Sequence, residues 1–62
     1  MNIKFNIDKG RQVFTRENVS DIEIEKIKYK EWDCLKVRFR DEYGDRNSVL
    51  VFPTDGDTYE IE

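Results

Sequence analysis

Hydrophobic and polar residues alternate along most of the chain, which is the pattern of β-strands with one buried face. The alternation is clearest at residues 3–7 (IKFNI) and 35–40 (LKVRFR). Shorter strands are predicted at 12–14 and 59–61. The run 49–52 (VLVF) is apolar on both faces, so it is expected to be a central or sandwiched strand.

Turn-forming residues separate these strands. Gly10 follows Asp8-Lys9, Gly44 lies within residues 41–45, and Pro53 ends the apolar run ahead of residues 54–57. Glycine supplies the positive φ that tight turns need, and proline cannot donate a hydrogen bond to a sheet. The polar residues 15–20 are compatible with either a loop or a single helical turn.

Residues 21–30 alternate with a phase shift, because Ile24 and Ile27 are three residues apart instead of two. One extra residue at positions 25–26 would keep all the apolar side chains on one face, as a β-bulge does. A helix is the alternative. With a turn at residues 30–33, Tyr29 is expected opposite Leu35.

That register also places acids opposite bases across the hairpin. Glu23 would face Arg40 and Glu25 would face Arg38, and such cross-strand pairs stabilise a sheet.

Composition agrees with an all-β fold. The 62 residues include no alanine and two leucines, against six isoleucines and five valines, and β-branched residues favour strands. The length predicts one domain, residues 1–62. The expected fold is a small antiparallel barrel of five or six strands, SH3-like, with a strongly bent antiparallel sheet as the alternative.

The residue inventory predicts neither an enzyme nor a metal or cofactor site. The chain has no histidine and a single cysteine, so the usual zinc sets, a Cys–His pair and an intrachain disulfide are all excluded. Cys34 is expected to be a half-buried structural thiol. Asp55 and Asp57 flank Gly56 as turn residues typically do. Neither a leader-like nor a membrane-spanning apolar stretch occurs, so a cytoplasmic location is expected.

Binding is therefore the expected role. The leading hypothesis is an interaction module, of inhibitor or adaptor type, that contacts a protein partner through exposed aromatic residues, an edge strand and an acidic C-terminal segment. Residues 47–62 carry a formal charge of −4, which suits a basic partner. A homodimer is a further alternative. The candidate protein-binding residues are Trp32, Tyr43, Asp55, Asp57, Tyr59 and Glu60.

The alternative hypothesis is a barrel that binds single-stranded nucleic acid. Cations mixed with aromatic side chains on a sheet face are typical of such proteins. The net charge of −3 opposes this, because phosphate contacts dominate nucleic-acid affinity. The candidate residues are Lys28, Lys36, Arg38, Arg40 and Phe52.

Overall fold

The computed structural model describes all 62 residues and confirms the all-β class. It contains six strands and one turn of 3₁₀ helix at Pro53–Asp55. The strands are β1 (Ile3–Ile7), β2 (Gln12–Arg16), β3 (Ser20–Tyr29), β4 (Trp32–Arg40), β5 (Arg46–Val51) and β6 (Thr58–Ile61). The region left open at residues 15–20 is neither helix nor a single loop, since its two ends belong to β2 and β3.

The strands form two antiparallel sheets of three strands each. The small sheet has the order β2-β1-β6 and the large sheet has the order β3-β4-β5. No closed barrel is found, so the SH3-like barrel is not confirmed. Between β2 and β3 the chain crosses from one sheet to the other, where the Val19 amide donates to the Met1 carbonyl at 2.8 Å.

The core lies between the two sheets. Ile3 and Phe5 of β1 are fully buried and face Val37 and Phe39 of β4. The Phe5 and Phe39 rings lie 6.3 Å apart, and Val51 of β5 completes the contact. These residues occupy alternate positions along their strands, as the period-2 pattern predicted. The core is formed by the apolar side chains at these alternate positions.

The β3–β4 hairpin is the longest element, and its register differs from the predicted one. Tyr29 lies opposite Trp32 rather than Leu35, because the turn has only two residues, Lys30 and Glu31. The bulge is real, but it lies between Ser20 and Glu23 instead of at residues 25–26.

The predicted charge pairs are confirmed only in part. Arg38 is opposite Glu23, and Glu25 is opposite Lys36, so the predicted facing positions are wrong. The predicted ion pair of Glu25 with Arg38 nevertheless forms, at 3.4 Å, whereas Arg40 pairs with Asp21 instead of Glu23. Acids still face bases across the hairpin, which stabilises the sheet.

The hairpin extends beyond the small sheet. β3 and β4 have 10 and 9 residues, while β1, β2 and β6 have 5, 5 and 4. At about 3.3 Å per residue, β3 is about as long as the longest dimension of the molecule, 32 Å. The free end of the hairpin therefore has no second sheet covering it.

The Asp41 carboxylate organises the turn between β4 and β5. It accepts the backbone N–H groups of Tyr43 and Asp45, both at 2.9 Å, and the Asn47 side-chain amide at 3.0 Å. Desolvation acts to raise the pKa of Asp41, but the hydrogen bonds from Asp45, Asn47 and Tyr43 outweigh it and lower that pKa below 3.8. Hydrogen bonds to the charged form always act in this direction.

Asp41→Asn is expected to lower the free energy of unfolding at neutral pH. A carboxyl whose pKa is lower in the folded state stabilises the fold above its unfolded pKa, and this stabilisation is lost as pH falls through the folded pKa. Urea unfolding at neutral and acidic pH should show wild type losing more stability with acid than the variant does. Asp45→Asn, in the same turn, is the control and should behave as wild type. A variant with an unchanged acid dependence would contradict this role.

The turn between β1 and β2 uses three consecutive residues with positive φ. Asp8, Lys9 and Gly10 have φ values of 54°, 57° and 81°. Glycine accepts this conformation freely and aspartate tolerates it, but lysine gains nothing from it. Lys9 is therefore a strained position in an exposed turn.

Lys9→Gly is expected to raise the free energy of unfolding by about 0.5 kcal/mol, because relief of roughly 1 kcal/mol of strain exceeds the added flexibility of the unfolded chain. Arg11→Gly, at the end of the same turn and without positive φ, should lower it. Urea unfolding of the three proteins measures both effects. Destabilisation by Lys9→Gly would show that the lysine side chain makes a contact that outweighs its backbone strain.

Candidate functional site

Exposed aromatic side chains gather at the free end of the β3–β4 hairpin. Trp32 is 63% exposed and Tyr29 is 47% exposed, and the two are cross-strand partners on the same face. Phe52, which follows β5, contacts Tyr29 edge to face with ring centroids 6.4 Å apart. We call Tyr29, Trp32 and Phe52 the hairpin-end aromatics. They lie on the outer face of the large sheet, which is turned away from the core.

Cys34 lies on the same face as the hairpin-end aromatics. It is 3% exposed, and it belongs to the outer face because it is three residues from the buried core residue Val37 and lies opposite Ile27. Phe52 follows Val51, which is the cross-strand partner of Leu35. The sequence predicted a half-buried thiol, and the structure buries it fully.

The inner face of the same hairpin end forms an open depression of about 580 Å³. Its apolar lining comes from Ile27, Cys34, Leu35 and Pro53, and its polar lining comes from Lys26, Lys28, Asp33 and Thr54. The depression exists because the small sheet is too short to reach these positions. The end of the hairpin therefore offers an aromatic outer surface and a concave inner surface.

Arginines of β4 neutralise the acids of β3. The Arg38 Nη2 atom lies 2.7 Å from the Glu23 carboxylate and 3.4 Å from the Glu25 carboxylate. The Arg40 Nε atom lies 3.0 Å from the Asp21 carboxylate. All three acids of β3 are thereby held in ion pairs, in which two arginines face three carboxylates.

The lysines at the hairpin end have no such partners. Lys26, Lys28 and Lys30 have no carboxylate oxygen within 4.0 Å. Lys30 lies instead over the Tyr29 ring, 5.6 Å from its centroid. The hairpin end, residues 26–34, therefore carries three lysines against Glu31 and Asp33, a formal charge of +1 in a chain whose net charge is −3.

Tyr43, which the sequence grouped with Trp32, lies at the other end of β4. It is 81% exposed in the turn after Arg40. At about 3.3 Å per residue, β4 alone separates Trp32 from Arg40 by about 26 Å. The structure therefore does not bring Trp32 and Tyr43 into one surface.

The acidic C-terminal candidates have different environments. Asp55 is exposed in the 3₁₀ turn, and Glu60 is exposed on β6 opposite Lys4. Tyr59 packs against the core. These residues do not form one continuous acidic patch.

Asp57 has a structural position. It is 8% exposed, and its Oδ2 atom accepts the Phe52 backbone N–H at 3.0 Å. This bond fixes the connection from β5 to β6. Its Oδ1 atom is buried without a hydrogen-bond partner. No group of three or more histidine, cysteine or carboxylate side chains is arranged to hold a metal ion.

The predicted basic face is only partly assembled. Lys36, Arg38 and Arg40 alternate along β4 and lie on the outer face, where Lys36 is opposite Leu50 of β5. Lys28 lies opposite Asp33 and projects to the inner face. The two arginines are held in ion pairs, and Phe52 packs against Tyr29.

Sequence reasoning missed Tyr29, Lys26, Lys30 and Pro53 as parts of one surface. The feature that would have revealed this surface is the length of the turn after Tyr29. A two-residue turn puts Tyr29 beside Trp32, whereas the predicted four-residue turn put Trp32 within the loop. Lys30-Glu31 lacks the glycine or asparagine that marks two-residue hairpin turns, so the shorter turn was not recognised.

Cys34 is expected to resist alkylation in the folded protein, because it is only 3% exposed. Iodoacetamide labelling followed by mass spectrometry should be much slower in buffer than in urea. Phe52→Ala truncates the side chain that follows Val51, the cross-strand partner of Leu35, and should speed labelling in buffer. Labelling of the native protein at the rate of a free thiol would show that Cys34 is accessible and would reopen a nucleophilic role.

The end of the hairpin is where exposed aromatic side chains, uncompensated lysines and the largest depression come together. No helix in the structure is long and apolar enough to cross a membrane. Comparison with known proteins gives no match, whether to a family model, to a curated protein or to a solved structure.

Proposed function

We propose that this protein is a non-enzymatic interaction module that binds a protein partner through the free end of the β3–β4 hairpin. The observation that carries the proposal is the exposure of Trp32 beside Tyr29 at an end of the sheet that the small sheet does not cover. Tryptophan and tyrosine are the side chains that most often anchor protein interfaces.

The rigidity of the hairpin end supports this proposal. Tyr29 packs edge to face on Phe52, with ring centroids 6.4 Å apart. An anchor that is already held in place loses little conformational entropy on binding. The aromatic surface is therefore preorganised, which favours recognition of a folded or extended protein segment.

The ion pairs favour a protein partner over nucleic acid. Arg38 and Arg40 are engaged by acids of β3, so a nucleic-acid backbone would have to compete with three carboxylates for them. The overall charge of −3 further disfavours binding that depends on phosphate contacts.

A cytoplasmic, non-catalytic role is part of the same proposal. The chain has no histidine, and its one thiol is buried. A lone reduced cysteine is compatible with a reducing compartment. The inhibitor or adaptor type follows from the small size of the domain, which leaves one end of one hairpin as its main apolar surface.

Trp32→Ala is expected to weaken partner binding by about 2 kcal/mol, or roughly thirtyfold, because it truncates the central anchor. Binding peptides would first be selected on the wild-type protein from a displayed random library. The affinity of these peptides for wild type and for the variant would then be measured by fluorescence polarisation. Val13→Ala, an exposed apolar residue on β2 of the small sheet, is the matched control and should retain affinity. Urea unfolding should show the fold of Trp32→Ala intact.

Binding that survives Trp32→Ala but is lost in Tyr43→Ala would place the interface at the opposite end of β4 and contradict the proposal. A selection that yields no saturable binder of the wild type would contradict it as well.

A further inference from the structure

β3 is the longest open edge in the molecule. It is an outer strand of the large sheet, it has 10 residues, and only its β4 side is paired along residues 23–29. An edge strand presents a row of free backbone N–H and C=O groups that an extended chain can pair with.

The C-terminal half of β3 alternates lysine with apolar residues. Lys26, Lys28 and Lys30 alternate with Ile27 and Tyr29. The two β3 lysines in this set line the inner-face depression, while Ile27 and Tyr29 share the outer face with Cys34 and Trp32. The acids of β3 all precede its lysines and are paired with Arg38 and Arg40. The free charge of this edge is therefore positive.

A second copy of β3 cannot pair symmetrically with this edge without opposing like charges. Residues opposite each other in an antiparallel pair share a face, so a two-fold pairing must centre on one residue that lies opposite itself. When the two-fold axis passes through any of residues 22 to 25, acids lie opposite acids in the set Asp21, Glu23 and Glu25. When it passes through any of residues 26 to 29, lysines lie opposite lysines. Like charges directly opposite each other are destabilising, so pairing of this edge with the same edge of a second copy is disfavoured.

We propose that the β3 edge binds an extended segment of another protein in which acidic and apolar residues alternate. Its backbone would continue the large sheet beyond β3. Its acidic side chains would lie beside Lys26 and Lys28 at the inner-face depression, and its apolar side chains would lie beside Ile27 and Tyr29 on the outer face. Backbone pairing supplies affinity in such complexes, and alternate side chains supply specificity.

This inference deepens the proposed function, on which it rests, by naming the chemistry of the partner. The apolar outer residues of the bound segment would extend the surface of the hairpin-end aromatics. The acidic residues would neutralise the only lysines of β3, which have no carboxylate within 4.0 Å in the free protein. A single bound strand would thereby contact the lysines on the inner face and the apolar side chains on the outer face of the hairpin end.

The test uses a fluorescein-labelled peptide that alternates Glu and Val over about six residues, the usual length of a strand. Polarisation is measured at low salt and at about 0.15 M salt, where screening shortens the Debye length to about 8 Å. Saturable binding is expected, with weaker binding to a peptide of the same composition in which the Glu and Val residues are grouped. Alternate amides of β3 should gain protection from hydrogen exchange, because an antiparallel ladder engages every second residue.

The variant Lys26→Glu/Lys28→Glu should bind the alternating peptide at least about tenfold more weakly, because both contacts change from attraction to repulsion. Lys9→Glu/Arg11→Glu, in the turn between β1 and β2, makes the same change in net charge and should bind as wild type does. Equal losses in the two variants, or equal binding of the grouped peptide, would show nonspecific charge attraction and overturn the proposal.

Two further outcomes would also overturn it. Absence of saturable binding would mean that the lysines only protect the edge from aggregation. Self-association of the wild-type protein in sedimentation, removed by Glu60→Lys, would mean that the edge is occupied by β6 of a second copy, whose Tyr59-Glu60-Ile61-Glu62 sequence also alternates.

The same measurements separate this inference from the proposed function. Peptide binding that needs Lys26 and Lys28 but tolerates Trp32→Ala would support the edge and reject the aromatic anchor. Selected binders that need Trp32 but have no acidic alternation, and that leave the β3 amides unprotected, would support the function and reject the edge.

Discussion

The packing of β1 against β4 is the contact on which the rest of the structure depends. Ile3 and Phe5 have no exposed surface and meet Val37 and Phe39 across the two sheets. Complete burial of each such side chain contributes about 1.5–3 kcal/mol. In a chain this small no second core exists to compensate for its loss. Val51 is the other large fully buried residue in the contact, so the large sheet contributes β4 and β5 to it and the small sheet contributes β1.

The unequal lengths of the two sheets follow from the same core and create the candidate site. Three strands of 4 or 5 residues can cover only part of a hairpin of 10 and 9 residues. The covered part contains the alternation of Val37 and Phe39, and the uncovered part contains Tyr29 and Trp32. The hairpin continues past the core because its strands pair with each other, through cross-strand contacts that need no second sheet. The inner-face depression is thus a consequence of how far the β3–β4 pairing extends beyond the core, whereas Tyr29 and Trp32 are exposed because they lie on the outer face, which no second sheet covers.

The strands could be predicted from the sequence, but their alignment could not. Period-2 alternation located β1 and β4, because burial on one face requires it. The register of β3 against β4 was wrong because charge alternates with the same period on both strands. Arg38 meets an acid whether it faces Glu23 or Glu25, so pairing charges cannot choose between these registers. Lys30-Glu31 carries no turn signature, and Trp32 was therefore identified as exposed without its neighbour Tyr29. The sites that the sequence grouped by residue type, such as Trp32 with Tyr43, lie about 26 Å apart along β4.

The order of acidic and basic residues along β3 has two consequences, which together favour binding of another protein over pairing with a second copy of this chain. Acids precede lysines in this strand, and every two-fold antiparallel pairing with a second copy opposes like charges within one of these two blocks. The three acids form ion pairs with Arg38 and Arg40, whereas the two β3 lysines have no carboxylate oxygen within 4.0 Å, although Asp33 lies opposite Lys28. If the charges served only to keep the strand soluble, ion pairs within the chain could hold both the acids and the lysines. The folded state would then contain less unpaired charge. One uncompensated block beside an exposed tryptophan is better explained by an acidic segment that binds there, because such a segment would complete the charge balance that the chain leaves open.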